Sequence, residues 1–332
     1  MSIKPKVFVT RLLPEAGLKL IREACDSEIW QDQLPPPAAV LRHKIAGCDG
    51  LVSLLTDKID GPLLDLAPRL KVVSNFAVGF NNIDVPAATQ RGIAVGNTPG
   101  VLTDATADMA FCLLIAAARR VVEGHQYTLA GKWKTWEPLG HLGQDMVGRT
   151  LGIIGMGRIG YALARRCRAG WDMNIVYHDV YKNDKAEKDL GARQVDLDTL
   201  LAESDFVSLH ADLNDKTRGL IGADQLRKMK RSAVLVNTAR GPLIDQKALA
   251  AALKAGTIFA AGLDVTDPEP PTPDDPLLKL PNVIIAPHIA SSTVQTRNNM
   301  AEICAKNLLA GLTGQPLPAW VNPEVAAKRR LS

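Results

Sequence analysis

The chain has 332 residues, of which 46% are hydrophobic and 22% charged, so it is long enough for two domains and able to bury a core in each. Its formal net charge of +4 is small, and no segment interleaves dense lysine and arginine with aromatic residues, which argues against a nucleic-acid-binding protein. No apolar run approaches the ~20 residues of a membrane helix, and five scattered cysteines without CxxC spacing indicate neither disulfides nor a metal site, so we expect a cytoplasmic protein.

The first hundred residues alternate short apolar strands with helices. Strands are expected at residues 6–10, 50–55, 70–76 and 93–96. Helices are expected after Pro14 and at residues 38–46, 62–66 and 85–90. Alternation of this kind predicts a parallel sheet with helices on both faces.

The segment after residues 97–100 (NTPG) differs from the first hundred residues. Residues 105–122, rich in alanine, leucine and isoleucine, predict one long helix that is buried because it is apolar on most faces. Residues 131–148 hold no regular period and contain Trp133, Trp136 and several glycines. A long irregular excursion of this kind is typical of a functional loop or an interface arm.

Strand and helix alternation resumes at residue 150. Strands are expected at residues 150–154, 174–178, 206–209, 233–237, 258–263 and 283–286. No strand is expected after the final helix, residues 294–312, which we expect to pack on the first domain.

The predicted fold class is α/β, with two doubly wound parallel-sheet domains. The first is a flavodoxin-like substrate domain formed by residues 1–99 and 291–332. The second is a Rossmann domain formed by residues 100–290. Ligands bind beyond the carboxyl ends of the strands in such sheets, and the active site is expected in the cleft between the two domains.

A glycine-rich hexapeptide connects the strand at 150–154 to the helix that follows it. Its residues are Gly155, Met156, Gly157, Arg158, Ile159 and Gly160. The first glycine allows a tight turn, the second lets a pyrophosphate approach the backbone, and the third allows close packing of helix on strand. Asp179 ends the next strand, where an acid can accept hydrogen bonds from ribose hydroxyls. The strand, the glycine turn, the helix and the acid at the end of the second strand occur in the required order. We therefore predict dinucleotide binding rather than a structural turn.

Ionisable side chains follow three strands of the second predicted domain. They are Arg240, Glu269 and His288, and the same strand ends carry Thr238 and Asp264. Each has a structural interpretation when taken singly: the arginine can pair on a loop, the glutamate can be an exposed acid among prolines, and a lone histidine is often structural. Their joint placement at strand ends favours a catalytic site.

These residue types suit the reduction of a ketone by a bound nicotinamide. Arg240 can hold a carboxylate through paired N–H bonds and polarise the carbonyl. His288, oriented by Glu269, can protonate the developing alkoxide. No HxH or HExxH spacing indicates a metal ligand set.

Six stretches of the chain resemble the D-2-hydroxyacid dehydrogenases, and most of all their glyoxylate/hydroxypyruvate reductase branch. They are residues 75–84 (NFAVGFNNID), 97–108 (NTPGVLTDATAD), 152–160 (GIIGMGRIG), 237–241 (NTARG), 262–270 (GLDVTDPEP) and 287–292 (PHIASS). Because these motifs run in order along nearly the whole chain, they are more specific than the glycine hexapeptide alone.

The resemblance implies a role for each matching residue. Arg240, Glu269 and His288 would form the catalytic set. The backbone of Val78 and Gly79 would bind the substrate carboxylate. The remaining expected contacts are Leu54 at the border of the substrate pocket, Thr106 and Asp264 at the nicotinamide end, and Thr238 at the cofactor.

The resemblance also implies a homodimer. The irregular excursion matches the family's dimerisation arm, expected around residues 120–148. Trp136 resembles a tryptophan that reductases of this branch insert into the substrate pocket of the neighbouring subunit. The alternative is that Trp136 merely anchors a surface loop.

Two departures from the family pattern concern the cofactor. Asp212 stands where the family usually has a proline, which would alter the adenine-side loop. Many reductases of this branch prefer NADPH and carry a small residue followed by arginine at the end of the second strand. This chain has Asp179 and Val180 there, so we predict that NADH is preferred and NADPH possible, with Lys182 and Lys185 as residues that could soften the preference.

The sequence thus predicts a cytoplasmic, dimeric reductase that uses NADH on short 2-oxo acids, first of all glyoxylate or hydroxypyruvate. One alternative is a dehydrogenase of the same family for another acid, such as phosphite or a bulkier 2-oxo acid. A second alternative is an NADH-sensing corepressor, because such proteins share the fold and the same three catalytic residues.

Overall fold

The computed structural model describes residues 4–329, so the first and last three residues of the predicted substrate domain lie outside the described range. The chain divides into two compact units, Met1–Leu102 with Ser292–Ser332, and Thr103–Ser291. Each unit holds one sheet, and all neighbouring strands in both sheets are parallel. The prediction of two parallel-sheet α/β domains is confirmed.

The first unit contains a five-stranded sheet in the order β2-β1-β3-β4-β5. Its strands are β1 (Lys6–Val9), β2 (Asp26–Ile29), β3 (Gly50–Ser53), β4 (Val72–Asn75) and β5 (Ala94–Gly96). Its helices are α1 (Glu15–Ala24), α2 (Ala38–Ile45), α3 (Gly61–Asp65), α4 (Val85–Gln90) and, from the end of the chain, α12 (Val294–Leu312), followed by a 3₁₀ helix at Pro323–Lys328.

Strand β2 is absent from the sequence-based prediction. It pairs with β1, Lys6 opposite Asp26 and Val9 opposite Ile29. Its sequence, DSEI, is mostly polar and its side chains alternate between exposed and half-buried. An edge strand is held mainly by its backbone hydrogen bonds and needs no apolar run, so hydrophobic patterning misses it.

Helix α12 packs against α1, β3 and β4. A Cβ at Gly17 would overlap the carbonyl oxygen of Ala301, so glycine is required where α1 meets α12. The Ser74 hydroxyl donates a hydrogen bond to the carbonyl of Cys304 at 2.8 Å. The last helix is therefore part of the core of the first unit.

The second unit contains a seven-stranded sheet in the order β12-β11-β10-β9-β6-β7-β8. Its strands are β6 (Thr150–Ile154), β7 (Asn174–His178), β8 (Arg193–Gln194), β9 (Phe206–Leu209), β10 (Val234–Asn237), β11 (Ala260–Leu263) and β12 (Val283–Ile285). Its helices are α5 (Thr103–Ala118), α6 (Val121–Leu129), α7 (Arg158–Trp171), α8 (Asp184–Leu190), α9 (Leu197–Glu203), α10 (Ala223–Lys228) and α11 (Gln246–Ala255), with 3₁₀ helices at Gly241–Leu243 and Pro276–Lys279. Strand order reverses at β6, which is the position where such sheets bind ligands.

The prediction of one continuous helix over residues 105–122 is wrong. The chain leaves the helical conformation at Arg120, whose φ is +54°, and α5 and α6 are separate helices. The backbone N–H of Gln144 donates to the carbonyl of Ala118 at 2.9 Å, and Gly143 lies so close that a Cβ there would overlap the same oxygen. A distant segment thus caps the end of α5, which no local propensity reveals.

Residues 131–148 form neither helix nor strand. Large apolar side chains of this segment are exposed, including Trp133 at 65% and Trp136 at 80%. Residues 131–148 therefore expose apolar surface, in contrast to the central strands of both sheets, whose apolar side chains are buried.

No helix formed by residues 4–329 is long and apolar enough to cross a membrane. Within that same range there is no group of three or more His, Cys, Asp or Glu side chains placed to hold a metal ion. The five cysteines are free thiols, of which Cys112 is exposed.

Candidate active site

The glycine turn after β6 is closely packed on both sides. Gly155 has φ +92°, and a Cβ there would lie 2.6 Å from the backbone nitrogen of Ala211. A Cβ at Gly160 would overlap the carbonyl oxygen of Gly155. Only glycine fits either position, so the sharp turn and the close approach of α7 are dictated by these two residues.

Gly157 differs because it faces open space. Apart from Gly157 itself and its neighbours along the chain, no heavy atom of residues 4–329 lies within 4 Å of the point where its Cβ would stand. It is also the N-cap of α7, and in the described structure no side chain caps that helix end. Gly157 and Arg158 are exposed and Ile159 is half-buried. The open space beside Gly157, at the positive end of a 14-residue helix, fits the pyrophosphate of a dinucleotide.

Asp179 lies beside this turn at the end of β7. Its Oδ2 accepts a hydrogen bond from the backbone N–H of Met156 at 2.8 Å, and its Oδ1 accepts one from Tyr181 at 3.1 Å. Its carbonyl accepts from Gln194 at 2.9 Å. A carboxylate has about four acceptor positions, so this fixed side chain retains capacity for ribose hydroxyls.

Both lysines near Asp179 are engaged in ion pairs. Lys182 contacts Asp184 at 3.2 Å and Glu187 at 3.0 Å, and Lys185 pairs with Asp189. The pKa of each lysine is raised, first of all by hydrogen bonds to these acids. Their charges are thus directed at residues of α8.

Arg240 follows β10 on a loop that Asn237 holds. The Asn237 amide donates to the carbonyl of Arg240 at 2.8 Å, and its oxygen accepts from the N–H of Ala239 at 3.0 Å. Burial lowers the pKa of Arg240, and the charges of Glu269 and Asp212 oppose this shift. The sequence motif NTARG contains Asn237 but predicts no role for it. Asn237 is fully buried and its two partners are backbone groups, which the motif does not reveal.

The loops after β10 and β11 touch at Gly241. A Cβ at Gly241 would overlap the carbonyl oxygen of Thr266, so no larger residue fits next to Arg240. The Thr266 hydroxyl donates to the carbonyl of Pro268 at 2.8 Å, which fixes the loop that carries Glu269. These contacts bring the arginine loop and the glutamate loop together.

His288 follows β12 and contacts Glu269. Its Nδ1 lies 2.5 Å from Oε1 of Glu269. The backbone of His288 has φ +54°, a conformation uncommon for residues other than glycine, and its N–H donates to the carbonyl of Asp264 at 3.0 Å. Such backbone strain is frequent at functional sites, where surrounding contacts maintain it.

Asp264 supplies those surrounding contacts. One carboxylate oxygen accepts from the N–H of Ile289 and the other from that of Ala290, each at 2.8 Å, and the residue is 1% exposed. Burial raises the pKa of Asp264, and the two backbone hydrogen bonds oppose the rise. Asp264 therefore holds the loop that bears His288, and its contact with a carboxamide stays a prediction.

His210 has a different environment from His288. Its Nε2 lies 2.9 Å from the hydroxyl of Ser208, and burial lowers its pKa to about 3. The ring is therefore neutral at physiological pH and unsuited to donate a proton in catalysis. This partner was not apparent in the sequence, although Ser208 and His210 share one face of β9 and its extension.

Three further predicted residues lie at one edge of the first unit. Leu54 follows β3, and Val78 and Gly79 follow β4. Asn82 joins the two loops by donating to the carbonyl of Leu54 at 3.0 Å. Within residues 4–329, the N–H groups of Val78 and Gly79 have no hydrogen-bond acceptor. They are thus able to bind a carboxylate, and this role stays a prediction.

The remaining predicted residues are dispersed. Thr106 lies on α5 and is 4% exposed, and Thr238 follows β10 with a buried hydroxyl that has no partner among the described residues. Trp136 lies in the irregular segment 131–148 and is largely exposed. The structure thus brings Glu269 and His288 into contact within the second unit, and the loop that carries Arg240 touches the loop that carries Glu269.

Comparisons with known proteins show which family has this fold. A family model described as "D-isomer specific 2-hydroxyacid dehydrogenase, NAD binding domain" matches residues 111–290. A protein of Korarchaeum cryptofilum named "Glyoxylate reductase" is 55% identical over 328 residues, which cover 98% of both chains. The crystal structure of the TT0316 protein from Thermus thermophilus has a TM-score of 0.90 at 46% identity, covering 95% of this chain and 99% of that one.

A third relative adds a cofactor complex. The structure of an NADPH-dependent glyoxylate/hydroxypyruvate reductase from Sinorhizobium meliloti with NADP and malonate has a TM-score of 0.85 at 32% identity and covers 99% of both chains. The resemblance found in the sequence motifs is therefore confirmed. The chain belongs to the D-isomer specific 2-hydroxyacid dehydrogenase family.

Proposed function

We propose that this protein is a cytoplasmic, dimeric reductase that uses NADH to convert glyoxylate or hydroxypyruvate to the 2-hydroxy acid. The observation that carries this proposal is the contact of 2.5 Å between Glu269 and His288, on loops that other buried residues hold in place. The name of the Korarchaeum relative, at 55% identity, supports glyoxylate as the first substrate to test.

Each catalytic residue has a separate task in this mechanism. When bound, the nicotinamide supplies a hydride to the substrate carbonyl carbon. Arg240 binds the substrate carboxylate and polarises the carbonyl. Because Nδ1 of His288 is engaged by Glu269, its Nε2 is the atom that gives a proton to the developing alkoxide. Glu269 orients the ring through its contact with Nδ1.

The substrate contacts complete the proposal. The N–H groups of Val78 and Gly79 bind the carboxylate, and Leu54 borders the pocket. A small pocket disfavours bulky acids only modestly, since each methylene that does not fit changes specificity by only ~1–3 kcal/mol. In the proposed homodimer, Trp136 of one subunit enters the substrate pocket of the neighbouring subunit.

We propose NADH as the preferred cofactor because of Asp179. Its charge repels a 2′-phosphate, whereas its oxygens accept hydrogen bonds from ribose hydroxyls. Lys182 and Lys185 are already paired with acids of α8 and do not offset that repulsion. The Sinorhizobium relative is named NADPH-dependent, so NADPH use at lower efficiency is consistent with the family.

Replacing Asp179 with asparagine is expected to erase most of the preference for NADH. The wild type should have a kcat/KM for NADH at least ~10-fold above that for NADPH, because like charges brought together cost several kcal/mol. Asp179→Asn removes the charge and keeps an acceptor for Met156. Both values are measured with glyoxylate, and Asp198→Asn, on the exposed face of α9, is the matched control. Equal efficiencies in the wild type would contradict the proposal.

The proposed homodimer involves the exposed apolar side chains of α6 and the irregular segment. They are Val121, Val122, Leu129, Trp133, Trp136, Leu139, Leu142 and Val147. Apolar side chains clustered along one segment are typical of interaction surfaces. Because their burial against a second copy would stabilise association, this segment is the proposed arm.

Sedimentation equilibrium tests the homodimer. The wild type is expected at twice the mass of one chain, and Trp133→Ala with Trp136→Ala should weaken association by ~10²-fold, because tryptophans are frequent hot spots. Leu34→Ala, at an exposed leucine of the first unit, is the control and should leave the mass unchanged. A wild-type monomer at micromolar concentration would refute the proposal.

Two alternatives are distinguished by simple assays. A family member for another acid would bind NADH, fail to turn over glyoxylate and hydroxypyruvate, and act on phosphite or bulkier 2-oxo acids. An NADH-sensing corepressor would bind NADH with negligible turnover of any small acid. Both alternatives share the three catalytic residues, so turnover of small acids, and not the contact between Glu269 and His288, distinguishes them from the proposed function.

A further inference from the structure

The backbone N–H and the backbone carbonyl of Met156 are both hydrogen-bonded to residues outside the glycine turn. Its N–H donates to Asp179 at 2.8 Å, and its carbonyl accepts from the side-chain amide of Asn183 at 2.7 Å. Met156 stands between Gly155 and Gly157 and is 2% exposed. Met156 is the one residue between the first two glycines of the turn. Because it donates one of these hydrogen bonds and accepts the other, its backbone orientation is fixed.

Asn183 is itself held in a single orientation. Its Oδ1 accepts from the N–H of Ala186 at 2.9 Å and thereby caps α8. Its backbone N–H donates to the hydroxyl of Tyr177 at 3.0 Å, and Tyr177 is fully buried. Reversal of the Asn183 amide would place its oxygen against the carbonyl of Met156 and its NH₂ against the N–H of Ala186, so the network allows one assignment.

We infer that Asn183 is a positioning residue for dinucleotide binding, which keeps the glycine turn in the conformation that leaves the space beside Gly157 open. The inference rests on the proposed function, because the ligand it concerns is a nicotinamide dinucleotide. Asn183 lies outside the glycine hexapeptide and is distinct from Asp179, the acid after β7. It acts through Met156 and touches no reacting atom.

The Asn183→Asp variant separates this role from helix capping. Aspartate keeps an oxygen that caps α8, and its charge favours the helix N-terminus. It has no N–H to give to Met156 and places a carboxylate oxygen against that carbonyl. We expect the Kd for NADH to rise ~10-fold or more, since one hydrogen bond is lost and a repulsion is gained.

Titration calorimetry with the full chain measures the Kd of NADH and of ADP-ribose, and kinetics measure kcat and KM. Both Kd values should rise by a similar factor, because ADP-ribose lacks the nicotinamide and retains the pyrophosphate. At saturating NADH, kcat and the KM for glyoxylate should stay within about twofold of wild type, as expected for a loss of cofactor binding alone. The thermal midpoint of Asn183→Asp should not fall below that of Asn183→Ala, because aspartate keeps the cap of α8 that alanine removes.

Asp196→Ala is the matched control. Asp196 caps α9, a helix of seven residues like α8 and in the same unit, through the N–H of Thr199 at 2.9 Å. It should lower the thermal midpoint and leave the Kd for NADH unchanged. Asn183→Ala loses the cap as well as the donor, so it should show both effects.

The measured affinities test the positioning role of Asn183 separately from the proposed function. Wild-type affinity for NADH in Asn183→Asp, or an equal loss of affinity in Asp196→Ala and Asn183→Ala, would overturn the positioning role while the proposed function stood. Absence of NADH and NADPH binding by the wild type would overturn the proposed function and this inference together.

Discussion

Replacing His288 with glutamine is expected to lower kcat on glyoxylate by ~10²–10⁴-fold, the range typical of general acid catalysis. Glutamine retains a hydrogen-bonding side chain that can face Glu269 but cannot transfer a proton at neutral pH. The loop should persist, because Asp264 holds it through the N–H groups of Ile289 and Ala290. The Kd for NADH should therefore equal that of wild type.

Stopped-flow and steady-state assays with NADH measure the change, and calorimetry measures cofactor binding. His43→Gln makes the same substitution at an exposed position of α2 and should leave kcat unaltered. Turnover of His288→Gln close to that of wild type would remove His288 from the mechanism.

Replacing Arg240 with lysine is expected to lower kcat/KM for glyoxylate by ~10²–10³-fold. Lysine keeps the charge and lacks the planar fork that binds a carboxylate with two parallel hydrogen bonds. Removing a donor aimed at a developing oxyanion typically costs a similar factor in kcat. The backbone of the loop should be retained, because Asn237 holds it through the carbonyl of Arg240.

The control for this variant is Arg227→Lys, at an exposed position of α10. It should preserve kcat/KM, and both variants should bind NADH like wild type. If Arg240→Lys retained full efficiency on glyoxylate, a charge alone would suffice and the bidentate role would be incorrect.

Six of the seven strands in the second unit could be predicted from the sequence, because they are apolar runs that end at glycine or polar residues. Edge strand β8, Arg193–Gln194, was missed because both of its residues are polar. Strand β6 and strand β7 were predicted with the bounds that the structure shows, Thr150–Ile154 and Asn174–His178. Edge strand β2 could not be predicted, because its side chains are polar and its pairing involves a distant segment. The break between α5 and α6 depends on Gln144, which lies far along the chain from the helix it caps.

The candidate site was predictable to the extent that parallel strands bring their carboxyl ends together. Arg240 and His288 each follow a strand of one sheet, so their approach is a consequence of topology. The residues that fix the loops and turns of the site were missed for a common reason. Asn183, Asn237 and Asp264 act through hydrogen bonds to backbone atoms of other residues, and a backbone partner leaves no mark in the sequence.

The most direct test of the proposed function is NADH oxidation by the purified wild type, followed at the nicotinamide absorbance with glyoxylate and hydroxypyruvate. A parallel panel contains pyruvate, phenylpyruvate and, with NAD in the reverse direction, phosphite. The proposed function predicts fast turnover of glyoxylate or hydroxypyruvate with NADH and slower turnover with NADPH. Binding of NADH without turnover of either acid would contradict it.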